Sequence, residues 1–155
     1  TQVKNLFSFN PLTFLAANVG AADLRGMEVE ATMLLGEWQA GVQLDLLSAT
    51  NAVTGAPLDD RAEHSVRLNA SRDYDRFGIR FDLIAENNRY DGGGQKLNGH
   101  VLFDVSAYYQ VNEKLKILAN VDNLFDQDYT VNLIGFGDRY LTPGRQTSVT
   151  VQYAF

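Results

Sequence analysis

From Trp38 to Leu47 the side chains alternate in character: Trp38, Ala40, Val42, Leu44 and Leu46 are apolar, and Gln39, Gly41, Gln43 and Asp45 lie between them. In an extended strand successive side chains point to opposite faces, so a period of two yields a ribbon with one greasy and one polar side. The design repeats along the chain. Met27, Val29, Ala31, Met33 and Leu35 oppose Glu28, Glu30 and Thr32, while His64, Val66, Leu68 and Ala70 oppose Ser65, Arg67, Asn69 and Ser71. Phe77, Ile79, Phe81, Leu83 and Ala85 oppose Gly78, Arg80, Asp82 and Glu86; Val101, Phe103, Val105, Ala107 and Tyr109 oppose Asp104, Ser106 and Gln110. Leu115, Ile117, Ala119 and Val121 face away from Lys116, Asn120 and Asp122, and Val149, Val151, Tyr153 and Phe155 away from Ser148, Thr150 and Gln152. With a weaker opening strand at residues 2 to 9, this predicts eight antiparallel strands and an all-β fold over residues 1–155.

The connections alternate between short and long. Gly36-Glu37, Asp73 to Arg76 and Val111 to Lys114 read as tight turns; Asn10 to Ala22, Thr50 to Arg61, Tyr90 to Gly99 and Asn123 to Gly144 read as long loops. Short turns on one rim and long loops on the other are the signature of a transmembrane β-barrel, with periplasmic turns and extracellular loops. Charge supports that reading. Glu28, Glu30, Asp45, Arg67, Arg80, Asp82, Glu86, Asp104, Lys116 and Asp122 share the polar faces. A dry core would demand near-perfect pairing of them, whereas a wet lumen does not. The apolar faces named above hold no Lys or Arg, which at mid-bilayer costs about 2 to 4 kcal/mol, and His64 lies near the outer end of its strand. Aromatics gather at strand ends, with Trp38, Phe77, Tyr109, Tyr153 and Phe155 on the turn side and Tyr90, Phe136 and Tyr140 on the loop side. Soluble antiparallel sheets alternate too, but strands of roughly ten residues with short turns on one rim favour a membrane.

Several classes are excluded. The nearest apolar run, Pro11 to Ala22, is interrupted by Thr13, Asn18 and Gly20, well short of the roughly 20 residues a spanning helix needs. Cysteine is absent, removing disulfides and thiolates. A net charge of −6 argues against nucleic acid as a partner. His64 and Ser65 are adjacent, so on a strand they face opposite sides and form no base and nucleophile pair, and His100 has no evident nucleophile beside it. Asp91-Gly92-Gly93-Gly94 lacks the Lys-Ser/Thr of a phosphate loop. Asp59, Asp60 and Glu63 read as a solvated acidic loop in preference to a calcium site, and no His/Cys cluster suggests a transition metal. No catalytic residue, cofactor or metal is expected. The chain opens Thr1-Gln2-Val3 in mid-pattern, as a mature product or a piece of a longer protein does.

Asn123-Leu124-Phe125-Asp126-Gln127-Asp128-Tyr129, followed by Pro143-Gly144-Arg145 and a strand ending at Phe155, resembles the C-terminal end of TonB-dependent outer-membrane receptors. Gly26 to Ala31 is similar to a strand start common in that family, and Thr50 to Leu58 through Arg61 and His64 resembles a loop and strand of vitamin B12 receptors. The resemblance implies the last eight strands of a barrel of about 22 whose lumen is closed by an N-terminal plug, expected to be absent from this chain. It further implies lipid, TonB acting through the plug, and the barrel-assembly machinery as partners, the last reading Tyr153 and Phe155. The implied activity is energised uptake of a corrinoid or a ferric siderophore. A passive porin and a soluble lipocalin-like binder are the rival readings.

Within the motif, Asn123 and Asp126 are expected to bond nearby backbone N–H groups, and Leu124 and Phe125 to anchor the loop base. Gly144 permits a tight entry to the last strand and Arg145 is placed to pair with lumen carboxylates. Exposed aromatics and amides on long loops suit large ligands, which selects Phe14, Asn51, Tyr90, Asn132, Phe136 and Tyr140 as ligand-contact candidates.

Overall fold

The computed structural model describes every residue except 1, 11, 12, 14, 92, 93 and 135–137; for residues 5–10, 17–19, 132–134, 138, 139 and 141 it describes the backbone alone. The strands are β1 (Gln2–Asn10), β2 (Leu15–Leu35), β3 (Trp38–Asn51), β4 (His64–Asp73), β5 (Phe77–Glu86), β6 (Arg89–Tyr90), β7 (Lys96–Leu97), β8 (His100–Asn112), β9 (Leu115–Asp122), β10 (Thr130–Ile134), β11 (Asp138–Leu141) and β12 (Gln146–Tyr153). Eight of them form one antiparallel sheet in the order β1-β2-β3-β4-β5-β8-β9-β12, and β6-β7 and β10-β11 are small hairpins within the long connections.

Register turns seven separate alternations into two continuous faces. Val29 pairs with Leu44, Leu44 with Val66, Leu68 with Leu83, Leu83 with Phe103, Val105 with Val121, and Val151 with Ile117. On the other face Glu30 pairs with Gln43, Gln43 with Arg67, Asn69 with Asp82, Asp82 with Asp104, and Ser106 with Asn120. A one-residue slip anywhere would move a strand's whole apolar set to the charged side, so pairing and patterning enforce one another.

Among the described residues neither face is covered by a second layer. Among the described residues only Ala22, Ala49 and Leu97 form buried apolar contacts, while Val101 is 53% and Val149 67% exposed. The sheet is a curved wall with an unpartnered apolar surface, the geometry expected where another solvent, lipid, supplies the burial. A row of rings crosses that surface: Trp38 stacks on Phe81 at 6.1 Å, Phe81 on Phe103 at 6.1 Å, and Phe103 meets Phe125 at 5.6 Å.

Two details depart from expectation. Residues 10 to 22 do not form a long loop: β2 starts at Leu15 and pairs with β1 up to Asn10, so most of the expected loop is strand. Gly20 at φ +86 and the register shifts between Lys4, Leu6 and Phe7 let the hairpin continue past an irregularity that interrupts the alternation. Second, Arg72 continues the apolar face of β4 beyond Ala70, pairing with Ile79 at the short-turn rim. Its guanidinium is paired with Glu37 and lies 4.4 Å from the centre of the Tyr74 ring, so the charge is neutralised at the short-turn rim.

Candidate functional site

Against the inward face lies an open hollow of about 530 Å³, lined among others by Glu30, Gln43, Arg67, Asp82, Asp104 and Asn120. Glu30, Gln43 and Arg67 follow one another in register across β2, β3 and β4, and Asp82 faces Asp104 across β5 and β8; hydrogen bonds hold several of the inward groups. Gln43 Nε2 donates to Asp45 Oδ1 at 3.1 Å, Ser65 Oγ donates to Asp45 Oδ2 at 2.8 Å, and Arg80 grips Asp82 through Nε and Nη2, both at 2.7 Å. Ser65 thus points inward while His64, paired with Leu46, points outward, and the two form no catalytic pair. At the short-turn end the Tyr108 hydroxyl donates to Asp73 at 2.9 Å, and Lys116 lies 3.9 Å from the centre of the Tyr108 ring.

The motif after β9 is a knot of backbone bonds. Asn123, 6% exposed and at φ 51, accepts from Gln127 N at 2.9 Å through Oδ1 and donates to Gln127 O at 3.0 Å through Nδ2. Its own N–H donates to Asp104 Oδ1 at 2.7 Å, fastening the knot to β8. Asp126, at φ 56, accepts from Arg145 N at 2.7 Å. Gly144 is required by proximity: a Cβ there would sit 2.5 Å from Asp126 Oδ1. Leu124 donates its N–H to Phe103 O at 2.8 Å, and the exposed Phe125 ring lies against Phe103. The Tyr129 ring stacks on His100 at 4.4 Å, and its carbonyl accepts from Thr142 Oγ1 at 3.0 Å. The Arg145 guanidinium reaches the Leu124 carbonyl at 3.4 Å, closing the loop base, and no described ion pair links it to a lumen carboxylate. Tyr153 and Phe155 meet edge to face at 5.4 Å, both exposed.

Above the wall the long connections interlock. Asn87 Oδ1 accepts from Glu63 N at 3.0 Å and His64 N at 3.2 Å, and Asp60 N donates to Tyr90 O at 2.6 Å. Arg89, 8% exposed, donates to the carbonyls of Val131 at 2.8 Å and Thr130 at 3.5 Å and lies 3.4 Å from Glu86 Oε2. A recess of about 290 Å³ opens beside it, lined by residues including Leu58, Arg61, Asn88, Tyr90 and Lys96. Burial raises the Asp59 carboxyl above its ordinary range, with Asp60 and Asp91 adding to the shift; burial also raises Asp60, against the pull of Arg89. No group of three metal-ligating side chains occurs among the described residues, and Glu63 does not join the two aspartates in one.

Of the ligand-contact candidates, Tyr90 and Tyr140 are exposed on the loop layer. Asn51 instead shapes its own loop, its Oδ1 accepting from Val53 N at 2.9 Å and Thr54 N at 3.1 Å. Asn132 lies on β10, described by its backbone alone, and Phe14 and Phe136 lie outside the described residues. Arg89 and Asn87, polar groups that organise the loops, are not singled out by the sequence. Only the density of Asn and Arg in Glu86 to Arg89, directly after a strand, marks the place.

The chain is 30% identical over 141 residues to the vitamin B12 transporter BtuB of Vibrio vulnificus (strain YJ016), an alignment covering 90% of this chain and 23% of that protein. Its fold matches the ferric yersiniabactin uptake receptor FyuA of Yersinia pestis with a TM-score of 0.84 at 20% identity, covering 99% of this chain and 26% of the receptor. It matches the copper transporter OprC with a TM-score of 0.80 at 22% identity, covering 99% and 27%. The chain therefore spans about a quarter of the length of these proteins. The family model described as TonB dependent receptor-like, beta-barrel matches residues 1–124, which fits neither a porin nor a lipocalin-like binder. The chain belongs to the TonB-dependent receptor β-barrel family.

Proposed function

We propose that these 155 residues form eight adjoining strands in the wall of an outer-membrane receptor that takes up a scarce, bulky ligand, a corrinoid or a ferric siderophore, at the expense of energy delivered by TonB. The observation that carries the reading is a sheet of this family with an unpartnered apolar outer face, a charged inner face and a hydrogen-bonding edge at each end. Such a wall needs further strands to close, and a lumen this polar needs a plug to make passage selective. Transport, not catalysis, is the role proposed: among the described residues Asp45 accepts from Gln43 and Ser65 and Asp82 from Arg80, bonds that serve the polar lining of the wall. Tyr153 and Phe155 are proposed to be read by the assembly machinery, and the motif from Asn123 to Arg145 to serve architecture and not ligand contact.

The test is uptake by cells that lack their own receptors and carry the full gene. Labelled cyanocobalamin and labelled ferric siderophores are supplied separately, with and without TonB. Accumulation of one class that vanishes without TonB is the expected result. Accumulation that persists without TonB, or size-limited leakage of unrelated solutes, overturns the proposal.

A further inference from the structure

Arg89 is the most buried cation among the described residues, 8% exposed, yet it lies in a connection and not in the wall. Taking a guanidinium out of water is costly unless its N–H groups find acceptors. Here the acceptors come from a different loop: the carbonyls of Thr130 and Val131 at 3.5 and 2.8 Å, with Glu86 at the base of its own loop 3.4 Å away. Thr130 pairs with Leu141 across the β10-β11 hairpin, and the next residue, Tyr140, is 55% exposed. On the other side, the residue after Arg89 is Tyr90, 43% exposed, whose carbonyl receives the Asp60 N–H at 2.6 Å. One side chain therefore joins the connections after β5 and β9, beside the backbone bond that ties in the connection after β3, and each of the two joined connections carries an exposed phenol.

We propose that Arg89 is a positioning residue for ligand capture, a pin that fastens the connection after β9 to the connection after β5 and so sets the spacing between Tyr90 and Tyr140. The inference rests on the uptake reading for its purpose but not for its geometry. A planar fork can bridge two successive carbonyls and a carboxylate together; an ammonium offers no such fixed fork. Removing the guanidinium leaves the Thr130 and Val131 carbonyls without their donor while the strand ladder below stays intact. The loops then lose their mutual register without loss of the barrel.

The test uses the full receptor in detergent or vesicles, without ligand, so its outcome is independent of what is transported. Spin labels at Tyr90→Cys and Tyr140→Cys report the loop distance, and a second pair at Leu68→Cys and Val105→Cys reports the wall. A single narrow distance peak is expected for the loop pair, lost in Arg89→Gln and partly recovered in Arg89→Lys, with the wall pair unchanged throughout. Backbone amide exchange in 130–134 should rise about tenfold in Arg89→Gln, the equivalent of one lost charge-assisted bond. An unchanged loop peak in Arg89→Gln, or a wall pair that broadens equally, overturns the proposal. Energised uptake with an unpinned loop pair disproves the pin alone, whereas a pinned loop pair without TonB-dependent uptake disproves the uptake reading alone.

Discussion

At Asn123 one buried amide closes two bonds to Gln127 while its backbone adopts φ 51, a conformation that Asn and Gly tolerate and Ala resists. Asn123→Ala should cost about 2 to 4 kcal/mol through both losses, and Asn123→Gly about half of that, because it keeps the dihedral and forfeits only the bonds. Urea unfolding of the receptor in vesicles measures both, and equal losses would show the dihedral to be irrelevant. Gly144→Ala drives a methyl against Asp126 Oδ1, the acceptor of Arg145 N, and should cost about 1 to 3 kcal/mol by the same assay. Titration gives a third expectation. Burial and neighbouring carboxylates raise Asp59 in the fold, and a carboxyl raised above its unfolded value stabilises below that value, near 3.9. The contribution fades as pH climbs through the folded pKa. Loop 52–63 should thus exchange its amides more freely, after correction for intrinsic rates, as pH rises from about 4 toward 7. Asp59→Asn should flatten that slope, and a variant that keeps the wild-type slope removes Asp59 as its cause.

Strands carry the contrast between faces in adjacent residues. Ala31 faces outward, paired with Val42, and Thr32 faces inward, paired with Gly41. Ala31→Arg should cost about 2 to 4 kcal/mol in a bilayer while Thr32→Arg stays close to neutral, since the lumen is wet. Folding yield in vesicles, followed by heat-modifiable gel mobility, separates them, and similar yields would mean that the apolar face does not meet lipid. This alternation is why the strands from Met27 onward are legible in the sequence: each side chain declares its face. The start of β2 is not, because Ala16, Ala17, Ala21 and Ala22 carry no contrast between faces and Gly20 interrupts the period. The motif from Asn123 to Gly144 is legible as polar and turn-forming residues, yet its closure on Asp104 and Phe103 is set by tertiary register. Arg89 is invisible for a related reason. Its partners are backbone carbonyls some forty positions away, and a carbonyl has no sequence signature.

At the scale of the chain, the described residues form a wall with almost no core. β1 and β12 end the eight-strand order, and every residue of β12 is exposed, so its outward Val149 and Val151 and its inward Thr150 and Gln152 are equally bare. Hydrophobic burial, the main favourable term for a soluble domain, is nearly missing here, and lost chain entropy must be offset by lipid and by adjoining strands. An edge of unpaired N–H and C=O groups is itself a template for another strand. Residues 1–155 produced alone and refolded into micelles should therefore associate edge to edge into a distribution of oligomers, while the same residues in the full receptor remain in one monomeric barrel. Sedimentation in density-matched detergent distinguishes the outcomes. A single species at the 17.2 kDa chain mass, unfolding in one cooperative step, would mean that the sheet closes on itself and that its edges were never waiting for other strands.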